Sequence, residues 1–190
     1  YLNMRGWRHD YHNHIQVMKA HMAMNQLEAL ASYLDALEQD LSQVDTFVKS
    51  GNLMVDAVLN SKLSLARQKD IALDCAADLP EQLSVSDVDL CVILGNLLDN
   101  AVEACEKIPP EARFLRVYCA VIKNQLYLSV QNSAKEELDF DERNYISKKR
   151  GNHGLGLKRV QVLADRYGGF LNLQNQPGIF AAEVLLPLVT

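Results

Sequence analysis

The segment Arg8-His9-Asp10-Tyr11-His12-Asn13-His14 sets an imidazole beside a carboxylate. On a helix with about 100° per residue, His9 lies about 160° around from Tyr11 and points away from the apolar stripe to which Tyr11 belongs. Asn13 sits one turn along on the same face as His9. With Asp10 holding Nδ1–H, Nε2 of His9 is free to act as a nucleophile. Asn13 is then placed to position a phosphoryl group or a water. The heptapeptide alone also fits ordinary surface histidines, or a metal patch that lacks a third helix-spaced ligand.

A second cluster reads Gly95-Asn96-Leu97-Leu98-Asp99-Asn100-Ala101-Val102-Glu103-Ala104. Leu94, Leu97, Leu98, Ala101 and Cys105 make a buried face, and Asn96, Asn100 and Glu103 fall on another. Asparagine is a middling helix former, so two at this spacing invite a reason. Amide oxygens can ligate a magnesium ion that also holds nucleotide phosphates. A polar face turned to solvent is the other reading. Downstream, Gly151-Asn152-His153-Gly154-Leu155-Gly156-Leu157 comes just before a helix. Glycines there permit close backbone approach, and the free N–H groups of a helix N-terminus favour phosphate. The loop before it is charge-sorted: Glu136, Glu137, Asp139, Asp141 and Glu142, then Arg143, Lys148, Lys149 and Arg150. The basic end abuts the glycines, where phosphate would lie, although a charge run also fits a solvated loop.

These residues need elements to position them. Met4, Trp7, Tyr11, Ile15, Met18 and Met22 recur at helical spacing. Asn25 with Glu28 reads as a capping-box-like start. The heptad seam Leu27, Leu30, Leu34, Leu37, Leu41 and Val44 follows. Two helices joined near Asn25 make an antiparallel hairpin over residues 1–48 that cannot bury both stripes alone, so a homodimeric four-helix bundle is expected. Residues 49–190 form the second domain. After a reset at Ser50-Gly51-Asn52 the pattern predicts helix 53–68, strand 71–75, helix 86–107 capped by Ser86, and strands 114–122 and 125–132 around a Lys123-Asn124 turn. A polar loop over 133–153, helix 154–167 and strands 170–175 and 179–186 complete it. That order is α+β, a two-layer sandwich with helices on one face of a mixed sheet.

The chain has 190 residues, 48% apolar and 23% charged, with 19 basic against 24 acidic residues and a net charge of −5. This suits a folded protein and argues against a global electrostatic grip on nucleic acid or anionic lipid. No apolar run approaches about 18 residues, and no signal peptide is visible. A start at Tyr1 reads as a fragment whose N-terminal neighbour is missing. Cys75, Cys91, Cys105 and Cys119 form no C-x-x-C pair and lie among apolar residues, so buried free thiols are expected.

The three clusters in this order resemble the cytoplasmic kinase core of bacterial sensor histidine kinases, most closely the quorum-sensing Agr-type branch, whose phosphoacceptor box reads like Arg8-His9-Asp10-Tyr11. The resemblance covers nearly all the chain. It implies a dimerisation and phosphotransfer hairpin followed by a Bergerat-type ATP-binding domain. Asn96-Leu97-Leu98-Asp99-Asn100 is similar to the family's N box, which implies Asn100 as Mg²⁺ ligand with Asn96 beside it. His153-Gly154-Leu155-Gly156-Leu157 resembles the box that covers the ATP phosphates. His9 matches the phosphorylated histidine, Asp10 its acidic neighbour acting as base, and Asn13 the position associated with phosphatase work. Gly169 to Pro187 is similar to the closing hairpin. Where the family has Asp-x-Gly-x-Gly, this chain has Gln131-Asn132-Ser133-Ala134, and Asn132 can accept a hydrogen bond from adenine without charge. Asn152 displaces the first glycine of the phosphate box, and the threonine often found in the last hairpin is absent from Gly178-Ile179-Phe180.

The resemblance implies ATP and Mg²⁺ as cofactors and a response-regulator receiver domain as partner. It also implies a cytoplasmic place in a membrane sensor whose sensing part lies outside this sequence. Two rival readings keep the same residues in view. One is a phosphorelay module with a degenerate nucleotide site. The other is an ATPase clamp, which needs a water-activating Glu where Asn96 stands and gives His9 no role.

Overall fold

The computed structural model describes residues 15–40, 47–135, 140–141, 146–147 and 155–189. The chain divides into two compact units, Tyr1–Val44 and Asp45–Thr190. In the first unit α1 is described over residues 15–23 and α2 spans Leu27–Asp40. Asn25 was expected to open the second helix; instead it closes the first. It has φ 54°, its N–H bonds Met22 O at 3.0 Å, and Gln26 N–H bonds His21 O at 2.9 Å. That pair of bonds is the left-handed C-terminal motif that asparagine tolerates well. Gln26 carries the first carbonyl of α2, accepting from Leu30 N–H at 3.0 Å. Leu27 and Leu34 of the expected seam are 63% and 45% exposed in the single chain. Leu41 and Val44 lie outside the described residues, as do Met4, Trp7 and Tyr11.

The second unit contains α3 (Leu53–Gln68), β1 (Ala72–Asp78), α4 (Asp87–Cys105), a short 3₁₀ turn (Pro110–Ala112), β2 (Phe114–Ile122) and β3 (Gln125–Ser133). After these come β4 (Phe140–Asp141), β5 (Ile146–Ser147), α5 (Gly156–Arg166), β6 (Phe170–Gln176) and β7 (Ile179–Pro187). The main sheet has the order β1-β2-β3-β7-β6, with β1 parallel to β2 and the other neighbours antiparallel. The expected order of elements stands, with three adjustments. Strand β1 runs on to Asp78, β3 runs through Ser133, and the stretch expected as loop carries the two-residue strands β4 and β5. The Lys123-Asn124 turn forms with φ of 48° and 61°, the two left-handed residues that a tight hairpin requires.

One face of the sheet packs against the helices. Leu115, Val117 and Cys119 of β2, Leu126, Leu128 and Val130 of β3, and Val184 and Leu186 of β7 are buried there. They meet Leu59 and Leu63 of α3, Leu90, Ile93, Leu94, Leu97 and Leu98 of α4, and Leu157 and Val160 of α5 in one cluster. Each fully buried leucine contributes about 1.5–3 kcal/mol relative to exposure, so α4, with eight buried residues, is the keel of the unit. Arg113 ties the helix ends together. Its guanidinium donates to Lys69 O at 2.7 Å, beyond α3, and to Ile108 O at 2.8 Å, beyond α4. A cation at helix C-termini satisfies carbonyls that have no partner within the helix.

All four thiols are free, but only Cys105 and Cys119 are buried. Cys75 is half-buried and Cys91 is exposed, contrary to the expectation of buried thiols throughout. Cys91 follows Leu90 and precedes Val92 in sequence, yet a 100° step turns it out of the face that Leu90 buries. Burial pushes the Cys119 thiol up to about 12 and that of Cys75 to about 11, with the Asp74 carboxylate adding to the rise at Cys75. Both are inert as nucleophiles at neutral pH.

Candidate functional site

Helices α4 and α5 lie antiparallel over the first half of α4, fixed by contacts at both ends. At one end Tyr167, just past α5, donates its hydroxyl to Asp89 Oδ2 at 2.6 Å and accepts from Ser86 N–H at 3.1 Å. Ser86 caps α4 as expected, accepting from Asp89 N–H at 3.2 Å. The Tyr167 hydroxyl first, and second the Ser86 hydroxyl, which donates to Asp89 Oδ2 at 2.9 Å, hold the Asp89 carboxyl below its ordinary value of 3.8. A depressed carboxylate contributes stability that is present above 3.8 and is lost as pH falls through the lower folded value. Tyr167→Phe should therefore lower the melting temperature at pH 7, by about 2–4 °C for each 1 kcal/mol lost. The difference should shrink as pH falls through the Asp89 transition, leaving the part due to the Ser86 N–H bond, and a thermal melt series against pH reads both.

At the other end is the junction of the two motifs. Gly156, the first residue of α5, rests on the side chains of Asn96 and Asn100. A Cβ at Gly156 would lie 3.0 Å from Asn96 Oδ1 and 3.3 Å from Asn100 Nδ2. Only glycine lets the backbone come this close without moving an amide. Asn96 is not free to yield, because its Nδ2 donates to Val92 O one turn back at 2.6 Å, which aims Oδ1 at α5. So residues 60 positions apart in the sequence form one polar junction at the mouth of the α4–α5 pair.

The start of α5 adds a positive end to this junction. Among the described residues no side chain caps it, no acid stands in its first turn, and Lys158 and Arg159 are exposed there. Unmet N–H groups and the helix dipole favour an anion at that point. Leu155 is exposed and Leu157 is buried in the core, so of the expected phosphate segment Leu157 serves packing.

Asn132 continues the inward series Leu126, Leu128 and Val130 on β3 and is 1% exposed, opposite Leu115 and Phe180. Its Nδ2 donates to Ser133 O at 2.9 Å. A buried amide among leucines is costly unless its polar atoms are matched. Ser133 is buried too, and its hydroxyl accepts from Phe114 N–H at 3.1 Å and meets Cys105 Sγ at 3.4 Å.

Glu103 is not brought to the glycine. It lines a depression of about 240 Å³ between α3 and α4, with Lys62, Lys69 and Asp99 around it. Lys62 pairs with Asp99 at 2.6 Å across that depression. Among the expected site residues, His9, Asp10, Asn13, Lys148, Lys149, Gly151, His153 and Gly154 lie outside the described residues. Sequence reasoning missed Asp89 and Tyr167. The signal was Ser86-x-x-Asp89, a capping pattern whose acid could also take a partner from a second helix. Among the described residues no cluster of three His, Cys, Asp or Glu side chains forms a metal site. The amide pair of Asn96 and Asn100 suits a hard cation that keeps waters and phosphate oxygens as its other ligands.

Residues 85–187 match the GHKL domain family. The chain is 25% identical to the sensor histidine kinase NatK of Bacillus subtilis over 193 aligned positions, covering 98% of this chain and 59% of that protein. It is 21% identical to a probable C4-dicarboxylate sensor kinase of Halalkalibacterium halodurans, covering 93% of this chain and 35% of that protein. This chain thus spans between about a third and three-fifths of the length of these relatives. Among solved structures, the nucleotide-free catalytic domain of the histidine kinase ThkA superposes with a TM-score of 0.57 at 18% identity, covering 70% of this chain and 89% of that one. A likeness at that identity speaks to the fold, a mixed sheet with helices on one face.

Proposed function

We propose, from the premise that this chain belongs to the GHKL-domain family, that it is the phosphoryl-transferring core of a sensor histidine kinase in a two-component pathway. The observation that carries this reading is the seating of Gly156 against the amides of Asn96 and Asn100. A backbone held that close to two amide side chains, beside an uncapped helix start, is suited to a magnesium-bound polyphosphate.

In this reading Asn100 holds Mg²⁺ with Asn96 beside it, and Glu103 extends the same helix toward α3. Gly151, His153, Gly154, Leu155 and Gly156 line the phosphates, Lys148 and Lys149 offset their charge, and Asn132 meets the adenine. Bound magnesium supplies charge neutralisation on the phosphate oxygens. His9 Nε2 forms a bond to the γ-phosphorus while the bond from that phosphorus to the bridging oxygen breaks and ADP leaves. Asp10 holds Nδ1–H and stabilises the charge that develops on the ring. The phosphoryl group then passes to an aspartate carboxylate of a response-regulator receiver domain, and Asn13 positions the water that reverses the modification. Asn96 cannot act as a base toward water, which leaves the histidine to compete for the phosphoryl group.

The first unit supplies the dimer in this account. The exposed Leu27 and Leu34 favour pairing of two hairpins into a four-helix bundle. The Agr-type branch is favoured by Arg8-His9-Asp10-Tyr11 and by the altered Gln131–Ala134 segment. The same reading sets the chain on the cytoplasmic side of a membrane sensor. Among the described residues no helix is long and apolar enough to cross a membrane.

One observation favours the relay module instead: Asn132 is buried and commits its Nδ2 to the Ser133 carbonyl. The deciding experiment is incubation of the chain with γ-labelled ATP and Mg²⁺. A kinase takes up label that is acid-labile and alkali-stable. No saturable ATP binding would leave the relay, and steady hydrolysis without labelling would leave the ATPase clamp.

A further inference from the structure

Helices α4 and α5 border an open groove of about 340 Å³. Its floor is apolar, with Val92 of α4 and Leu155, Val162 and Leu163 of the α5 segment. Leu155 is 42% exposed and Val162 54%; Val88, one turn before Val92, is 72% exposed. Single exposed aliphatic residues are ordinary, but a row of them along two neighbouring helices marks a surface that something covers. The rim is cationic. Lys158, Arg159 and Arg166 stand there against one carboxylate, Asp89. That carboxylate is already met by the hydroxyls of Tyr167 and Ser86, with the Arg166 guanidinium at 3.5 Å. In a chain of net charge −5 this rim is a local reversal of sign. Arg159 and Arg166 are seven residues apart on α5. They therefore share one face, about 10 Å apart along the axis, with Val162 between them.

We propose that this groove docks an acidic amphipathic helix of a partner protein, with carboxylates seven residues apart and aliphatic side chains between them. The spacing follows from α5. A helix lying along it repeats its own face every seven residues, so a glutamate opposite Arg159 has its equivalent opposite Arg166. Aliphatic residues three and four positions on then lie over Val162. Each guanidinium offers a planar pair of donors that matches a carboxylate. A basic helix would be repelled by all three cations, and an uncharged one would desolvate them without pairing them. A small organic anion fits less well. The groove walls are exposed side chains, whereas small-molecule sites enclose most of their ligand. This inference needs neither nucleotide nor His9, so it stands or falls apart from the kinase reading.

The test titrates the full chain into synthetic helical peptides of about three heptads, each carrying a neutral fluorophore, and reads anisotropy. The first peptide has glutamates seven apart with leucines between them. The second has the same composition with the glutamates moved to the opposite face, and the third has lysine for each glutamate. The first is expected to bind saturably, the other two at least about tenfold more weakly, and raising salt from about 0.05 to 0.3 M should weaken the first. Arg159→Glu with Arg166→Glu should weaken the first peptide by about tenfold or more and strengthen the third. A gain for the lysine peptide also shows that the variant is folded. Val162→Gln, which keeps every charge, should weaken the first peptide as well. Equal binding of the first two peptides, unchanged binding in either variant, or no saturation up to roughly millimolar peptide overturns the inference. Saturable binding of dodecanoate that displaces the first peptide would assign the groove to a small amphipathic anion and overturn it too. So would loss of self-association in the double arginine variant, which would assign the groove to a second copy of this chain.

Discussion

Replacing His9 with alanine is expected to reduce protein-bound label from γ-labelled ATP to background while leaving Mg–ATP binding intact. The change removes the proposed nucleophile and alters none of the residues proposed to hold nucleotide. His9 is the one histidine of its heptapeptide with a carboxylate directly after it and an asparagine one turn along. In a step made of positioning and electrostatics, loss of the nucleophile leaves nothing to accept the phosphoryl group. His12→Ala and His14→Ala serve as controls and should label as the unaltered chain does. Label that persists in His9→Ala would move the acceptor elsewhere. Loss of ATP binding in the same variant would mean that His9 supports structure.

Asn100→Ala should have the next largest effect, a loss of roughly 100-fold or more in labelling at fixed ATP. The amide proposed as a magnesium ligand disappears, and Asn96 is left as the one amide of the pair beside Gly156. The effect on fold should be small, because Asn100 is only half-buried and the keel of α4 is carried by Leu94, Leu97, Leu98 and Ala101. Raising the magnesium concentration should restore part of the activity, as expected when a ligand is lost and the site geometry is kept. Melting temperature within a few degrees of the unaltered chain, together with the lost labelling, separates a ligand from a packing residue. Full labelling in Asn100→Ala would remove this residue from the site.

The apolar stripe of α4 was legible because eight of its residues face one core, and a 3.6-residue period exposes such a face directly. The Lys123-Asn124 turn was legible because two left-handed residues in a tight hairpin select a short list of residue types. Asn25 was misread for a related reason. Asparagine favours both the start of a helix and the left-handed residue after one, and only the bonds from Gln26 and Asn25 back to α1 tell the two apart. Cys91 was misread from its apolar neighbours in the chain, which on a helix point elsewhere.

The site divides in the same way. The asparagine pair and the glycine turn were each legible from spacing. Their meeting at Gly156 follows from the antiparallel pairing of α4 and α5, which is tertiary. Glu103 shares the helical face of Asn100 by angle, yet it lies one turn further along, where α3 and its lysines take over.

The central claim is that Gly156 and the two asparagine amides form a cradle for a magnesium–nucleotide. Titration of the isotope-labelled chain with ADP, with and without Mg²⁺, reads it by nuclear magnetic resonance. The expected result is saturable shifts of the Asn96 and Asn100 side-chain amides and of the Gly156 N–H that require the metal. No shift at these three groups up to roughly millimolar nucleotide, or equal shifts without Mg²⁺, would contradict the claim.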